Sequence, residues 1–228
     1  MIKDVLSPID LRNEMDAVQW ANEVNVKRPW RYEIFDDYAF YIRQHAPKAH
    51  VLELGSGPGY LATHLLKHCP DIRYTSFDFS EAMHNLAKAK LTDAELQRIQ
   101  FITGNFKEAH WENALLNNLG QQQNIDINLE ASSGQKPLMG FDMIIIHQAL
   151  HELRHKSHAA KFHRVIRSLM HKHSTYFVCD HIFAPDAMQN NELYMSIDEH
   201  EEALKQAGFQ HIAFIKNLNG LALFKVEL

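Results

Sequence analysis

Cysteine is nearly missing from this 228-residue chain: Cys69 and Cys179 are the only two. They form no CxxC pair, which excludes a disulfide scaffold or a zinc–cysteine framework and predicts a reducing compartment. Positive charge is also in short supply. With 23 Lys and Arg against 28 Asp and Glu, the formal net charge is −5. That excludes a global basic field for nucleic acid or an anionic membrane. No apolar run is long enough to span a bilayer. The opening Met1-Ile2-Lys3-Asp4 is charged early and lacks a signal-like apolar stretch, so a cytoplasmic location is expected. No internal repeat is visible. What remains, 46% hydrophobic and 22% charged residues, suits one globular domain of good size. The single excess is histidine, 16 residues, for which metal binding is the first explanation to test.

Residues 1–47 carry no strand-like run. Ile34, Phe35, Tyr38, Tyr41 and Ile42 recur at helical spacing, so this stretch is expected to form a helical N-terminal cap. The rhythm changes at residue 50. Short apolar strands are predicted at 50–54, 72–77, 99–103, 141–146 and 175–179, with helices between them at 60–68 and 81–90 and from about 147 to 170. Ser80 is a fitting N-cap for the second helix. A helix at 198–207 stops at Gly208, and a hairpin about Asn219-Gly220 closes the chain. Alternating strands and helices imply an α/β sheet covered on both faces. Residues 112–139, rich in amides and small residues, read as a mobile surface insertion.

The densest constellation is Glu53-x-Gly55-Ser56-Gly57-x-Gly59 directly after the first strand. Glycines let backbone approach a ligand, and the following helix points its free N–H groups at the same place. The dinucleotide fingerprint would need glycine at position 60, which is Tyr60. Glu53 sits just before the loop, and Asp78 ends the second strand, where a carboxylate can accept both ribose hydroxyls. Two acids beside the loop would repel a pyrophosphate. They suit a nucleoside that carries positive charge and no phosphate.

On these residues the chain resembles the class I S-adenosylmethionine (SAM)-dependent methyltransferases of the small-molecule type. Val51 to Gly59 is similar to the family's first motif and Phe77-Asp78-Phe79-Ser80-Glu81-Ala82-Met83 to its second. Gly104-Asn105-Phe106 stands at the third, with Asn105 where many members carry Asp. Phe141-Asp142 through Leu153 resembles the fourth, and Ala207-Gly208-Phe209 the entry to the final hairpin. The resemblance implies a Rossmann-like seven-stranded sheet of order 3-2-1-4-5-7-6, with strand 7 antiparallel, helices on both faces and a helical extension at the N-terminus. Residues 1–47 would be the cap and 48–228 the methyltransferase domain. It further implies SAM as cofactor, contacted by Glu53, Gly55, Ser56, Gly57, Gly59, Asp78, Phe79, Met83, Asn105 and Phe106. Met83 also fits an ordinary core position, and Asn105 an ordinary turn.

Eight of the histidines lie between 147 and 181, and His151-Glu152-Leu153-Arg154-His155 spells H-E-x-x-H. On a helix that spacing puts two imidazoles on one face, as in zinc hydrolases. So many histidines make the pattern cheap, Arg154 puts a charge inside it, and no third ligand is set for it, so no metal is expected. His147 and His151 fall at the carboxyl end of a strand. Either could be a general base for a hydroxyl or ammonium acceptor, or a wall of its pocket. His155, His158, His163, His171 and His173 are expected on a solvated basic helix face together with Arg154. The reaction expected is methyl transfer to a small-molecule acceptor. Methylation of RNA or protein, and a catalytically empty cofactor-binding scaffold, are the alternatives. Which acceptor atom is methylated and how many copies assemble stay open.

Overall fold

The apolar stretches gather into one seven-stranded sheet in the computed structural model of the chain, which describes residues 3–117 and 140–228. Its strands are β1 (His50–Leu54), β2 (Arg73–Asp78), β3 (Ile99–Thr103), β4 (Phe141–His147), β5 (Met170–His181), β6 (His211–Leu218) and β7 (Leu221–Glu227). Their order is β3-β2-β1-β4-β5-β7-β6, as expected. The first five strands pair in parallel, while β7 runs antiparallel to both β5 and β6. The turn about Asn219-Gly220 has positive φ at both residues, 49° and 79°, which matches the twist of a tight hairpin.

The helices are α1 (Glu14–Lys27), α2 (Tyr32–His45), α3 (Tyr60–His68), α4 (Glu81–Lys88), α5 (Asp93–Leu96), α6 (Ala159–Ser168) and α7 (Ile197–Gln206). The strand period of two divides the core between them. Val51, Met143 and Ile145 point to the face covered by Phe35, Tyr38 and Ile42 of α2 and Leu61 and Leu65 of α3. Leu52, Leu54, Ile144 and Ile146 point to the other, against Phe162 and Ile166 of α6 and Leu204 of α7. This explains why β1 and β4 read as continuous apolar runs: both their faces are covered. Each of these side chains contributes about 1.5–3 kcal/mol by burial. Ser80 caps α4 as predicted, accepting a hydrogen bond from the N–H of Met83 at 3.2 Å.

Three local expectations change. The fifth strand is longer than 175–179, running Met170–His181, because Asp180 and His181 continue the ladder with Ala222 and Leu221 of β7. The H-E-x-x-H stretch is not one helix. A 3-10 turn at Leu150–Leu153 ends at Arg154, whose φ is 67°, and a second turn at Lys156–His158 precedes α6. His151 and His155 therefore do not share a helix face. Of the expected insertion at 112–139, residues 118–139 lie outside the described residues. Residues 112–117 are helical and bury Leu115.

Candidate active site

β1 delivers the glycine loop at the carboxyl edge of the sheet. The N–H groups of Gly55 and Ser56 both donate to the carbonyl of Phe77, at 2.8 and 3.2 Å. Asp78 completes the stitching. One carboxylate oxygen accepts the N–H of Gly57 at 2.7 Å, and the other accepts the N–H of Ser80 at 2.9 Å. The hydroxyl of Ser76 donates to that of Ser56 at 2.6 Å. The three glycines differ in what they answer to. A Cβ on Gly55 would lie 2.4 Å from Cβ of Ala149, and one on Gly59 would lie 2.5 Å from Cβ of Ala87, so both admit neighbouring protein. A Cβ on Gly57 would meet only the Trp20 ring at 3.9 Å. Gly57 is thus the open point of the loop.

A small cavity of about 50 Å³ lies against this loop, lined by Trp20, Arg31, Glu53, Gly57, His147 and Gln148 among others, with Gly55 and Ser56 also in its wall. Glu53 is buried, and its carboxylate accepts the Tyr74 hydroxyl at 2.7 Å. Burial pushes Glu53 up to about 8, with the nearby Asp78 charge adding to it against the Tyr74 hydrogen bond. Burial likewise pushes Asp78 up to about 6, although its backbone hydrogen bonds pull it down. Arg31 comes from the short turn between α1 and α2. It is 4% exposed, fastened to Asn25 and laid over the Tyr60 ring at 4.9 Å. Nε of Arg31, Nε2 of His147 and Oε1 of Gln148 are buried without a well-formed hydrogen bond. Buried polar atoms in that condition call for a ligand or water.

A second, larger cavity, about 400 Å³, is lined by Phe79, Asn105 and Phe106 among others. Its outer wall is the segment around Ser7–Arg12, where the Arg12 guanidinium stands 4.7 Å over the Phe79 ring. The side-chain oxygen of Asn105 accepts the N–H of Lys107 at 3.1 Å. Asp78, Met83 and Gly59 line neither cavity. Met83 is buried against Ala17 of α1 and Ala82 of α4.

The ends of β4 and β5 hold the histidines. Nδ1 of His147 is 3.2 Å from the Tyr38 hydroxyl, and burial drives its imidazole down to about 3. His151 is built differently. Its Nδ1 is 2.8 Å from one oxygen of Asp180, and its backbone N–H donates to the other at 2.6 Å. Burial opposes the imidazolium of His151, but the charge and hydrogen bond of Asp180 outweigh it, so its pKa rises. The same pairing overrides burial at Asp180 and holds it down to about 2. The amide of Gln148 donates to Nε2 of His181 at 3.1 Å, joining this group to the cavity at the loop. Among the described residues, no cluster of three or more His, Cys, Asp or Glu has the geometry of a metal site.

Three of the residues expected on a solvated helix face have interior side chains; one, His171, sits on β5 with its Nε2 3.1 Å from Asp142. His163 is fully buried, with Nδ1 3.0 Å from the Tyr176 hydroxyl, because α6 turns it toward the sheet. Arg154 is buried as well, since its guanidinium donates to the carbonyls of Val5 and Leu6 and ties the N-terminal segment down. Arg31, Tyr38, Gln148 and Asp180 fall in the stretches expected to bound the acceptor pocket, 20–40, 147–151 and 180–195, whereas Tyr74 was not foreseen. Only Asp180 carried a local signal, an acid at a strand's carboxyl end.

A protein-family model described as a methyltransferase domain matches residues 45–219. No curated protein matches the chain. Solved structures match in fold. Human N-acetylserotonin methyltransferase in complex with SAM has a TM-score of 0.64 at 16% identity, with 95% of this chain and 57% of that one covered. An O-methyltransferase, so described provisionally, from Nostoc punctiforme has a TM-score of 0.65 at 16% identity, with 98% and 62% covered. A SAM-dependent methyltransferase from Aquifex aeolicus has a TM-score of 0.61 at 18% identity, with 94% and 96% covered. This chain therefore spans under two thirds of the human and Nostoc proteins and nearly all of the Aquifex one. With the glycine loop, the sheet order and a domain match running from the end of α2 into the final hairpin, the chain belongs to the methyltransferase-domain family.

Proposed function

We propose that this chain transfers a methyl group from SAM to a small-molecule acceptor. The carrying observation is the cavity at the glycine loop. It sets a buried cation, Arg31, and a buried acid, Glu53, beside an open Gly57, and three of its lining residues, Arg31, His147 and Gln148, carry buried polar atoms without a hydrogen-bond partner. Such a site fits the zwitterionic amino-acid end of SAM. Arg31 holds the carboxylate, and Glu53 holds the ammonium directly or through water. Gly55 and Ser56 shape that wall. Asp78 receives the ribose hydroxyls with the lone pairs its backbone bonds leave free. Phe79, Asn105 and Phe106 border the space for adenine, and residues 1–47 act as the cap.

When bound, SAM supplies a methyl group already activated by its sulfonium. The chain's residues then have to align the acceptor, exclude water and take a proton if the acceptor arrives protonated. His151 is the base. Its Nδ1 proton is held by Asp180, Nε2, which lies 3.5 Å from a Glu152 oxygen, receives the acceptor's proton, and Asp180 stabilises the imidazolium that results. His147, neutral throughout the physiological range, is a wall residue held by Tyr38.

Calorimetry with S-adenosylhomocysteine (SAH) tests the central claim. Tight binding that weakens by about a hundredfold in Asp78→Ala is expected. No binding, or equal binding by the variant, would sink it.

A further inference from the structure

Residues 5–12 form a strap along the larger cavity. Ser7, Pro8, Ile9 and Arg12 line the cavity from the strap, and Phe79 and Glu152 line it from the body of the protein. Burial holds the strap only weakly. Leu6, Ser7, Pro8 and Asp10 are exposed, and Val5 and Ile9 are half-buried. A segment with so little apolar surface covered belongs to the least stable parts of a fold. The strap is fixed at its two ends instead. At one end the Ser80 hydroxyl donates to the carbonyl of Leu11 at 2.5 Å, and Leu11 packs against the cluster of Ala17, Ala82 and Met83.

At the other end Arg154 makes the attachment. The N–H of Val5 donates to the Arg154 carbonyl at 2.8 Å. The guanidinium returns two bonds, from Nε to the carbonyl of Val5 at 2.8 Å and from Nη2 to that of Leu6 at 2.6 Å. Its third nitrogen, Nη1, donates to a Glu152 oxygen at 3.3 Å. Glu152 lines the same cavity, so one buried guanidinium ties the strap to the facing wall. The backbone of Arg154 is left-handed, with φ at 67°, which a non-glycine residue keeps only where its surroundings hold it. The carbonyls of Val5 and Leu6 can exchange these bonds for bonds to water, so opening this end leaves no strap carbonyl unsatisfied.

We infer that Arg154 is a positioning residue for the cofactor: it moors the strap across the cavity and thereby sets how long the cofactor stays. This rests on the reading that the cavity takes the adenine end of SAM. A cofactor in the cavity gains contacts with the strap only while the strap is moored, so its binding favours the moored form. Release of Val5 and Leu6 from Arg154 opens that wall for SAM to enter and SAH to leave.

The test uses the full chain. Amide hydrogen exchange across residues 5–12 should slow when SAH is bound. Labelled SAH, chased with unlabelled SAH, should leave Arg154→Gln about tenfold faster than wild type and Arg154→Lys at an intermediate rate. Val5→Pro leaves Arg154 in place and removes the N–H that bonds its carbonyl. It should release SAH about threefold faster, with the thermal midpoint of the apoprotein little changed. Val5→Pro decides the matter if Arg154→Gln does not fold. Exchange that SAH does not alter, or a folded variant of either residue that releases SAH at the wild-type rate, overturns the inference and leaves the cofactor reading standing. Faster release in Val5→Pro with a matching fall in the apoprotein's thermal midpoint would mark a general structural role and also overturn it. If SAH does not bind the wild type, the cofactor reading falls and takes the inference with it.

Discussion

On the β1–β2 side of the cleft, Asp78 holds Gly57 and Ser80 through backbone N–H groups 21 and 2 residues away. On the β4–β5 side, His151 reaches Asp180 across 29 residues, and His147 reaches Tyr38 across 109. The first arrangement is made by main chain and tolerates little variation in spacing, so it leaves a motif. The second is made between side chains carried by separate elements, so it leaves no local pattern. The comparison also separates cost from use. The loop side buries two carboxyls raised above their ordinary values, while the histidine side buries one acid held at about 2 by its partner.

The largest effect should come from breaking the side-chain half. Once an acceptor is found, Asp180→Asn is expected to lower kcat by about 10²–10⁴-fold, because the neutral amide no longer fixes or stabilises His151. SAH binding should be nearly unchanged. The wild-type rate should rise with pH as His151 loses its proton, with the inflection above its ordinary 6.5. In Asp180→Asn the inflection should move down. A pH–rate profile identical in the two proteins would remove His151 from the base role.

The main-chain half should break through folding instead. Gly55→Ala puts a Cβ 2.4 Å from that of Ala149 at a φ of 68°, and should destabilise the protein by about 2–4 kcal/mol in denaturant titration. Gly57→Ala makes only an ordinary contact with Trp20 at 3.9 Å and carries the backbone strain of its φ of 54°, about 1 kcal/mol, but should weaken SAH binding more than its stability loss suggests. Equal stability losses in the two variants would contradict the difference drawn between these glycines.

A smaller and opposite effect is expected at Glu53. Its carboxyl is raised from 4.5 to about 8 by burial, so the folded apoprotein keeps a proton that the unfolded chain gives up. The group's contribution to stability is complete below about 4.5 and is lost as pH rises through 8. Glu53→Gln cannot ionise. It should make the apoprotein about 1–3 kcal/mol more stable than wild type at pH 9, with little difference at pH 4, while weakening SAH binding. Thermal unfolding across that range checks the sign, and a pH-independent difference would contradict it. The least effect is expected for Tyr176→Phe, which removes the hydroxyl beside Nδ1 of His163 far from either cavity. About 1–2 kcal/mol of stability should be lost with SAH affinity intact.

The histidines show where legibility stopped. His163 and His200 are buried without lining the cavity at the loop, and His84 is on the buried face of α4, yet in the sequence they look like their exposed counterpart His173. H-E-x-x-H looked like a helix because its spacing is helical. Arg154 ends that possibility, since its left-handed backbone and its bonds to Val5 and Leu6 are incompatible with a continuous helix. Those bonds join residues 148–149 positions apart, a distance no local pattern can report.

By itself the sequence determined the strand and helix succession, the sheet order through its family motifs, and the glycine loop with Glu53 and Asp78. All of these depend on periodicity, turn chemistry and hydrogen bonds between residues close along the chain or along adjacent strands. Only the tertiary structure decided which histidines are paired, which are buried, and that Arg31 reaches the cavity at the glycine loop from the turn between α1 and α2. Burial and charge pairing depend on what packs opposite each side chain. Opposite His151 and Arg31 stand elements that the chain reaches only after it has folded.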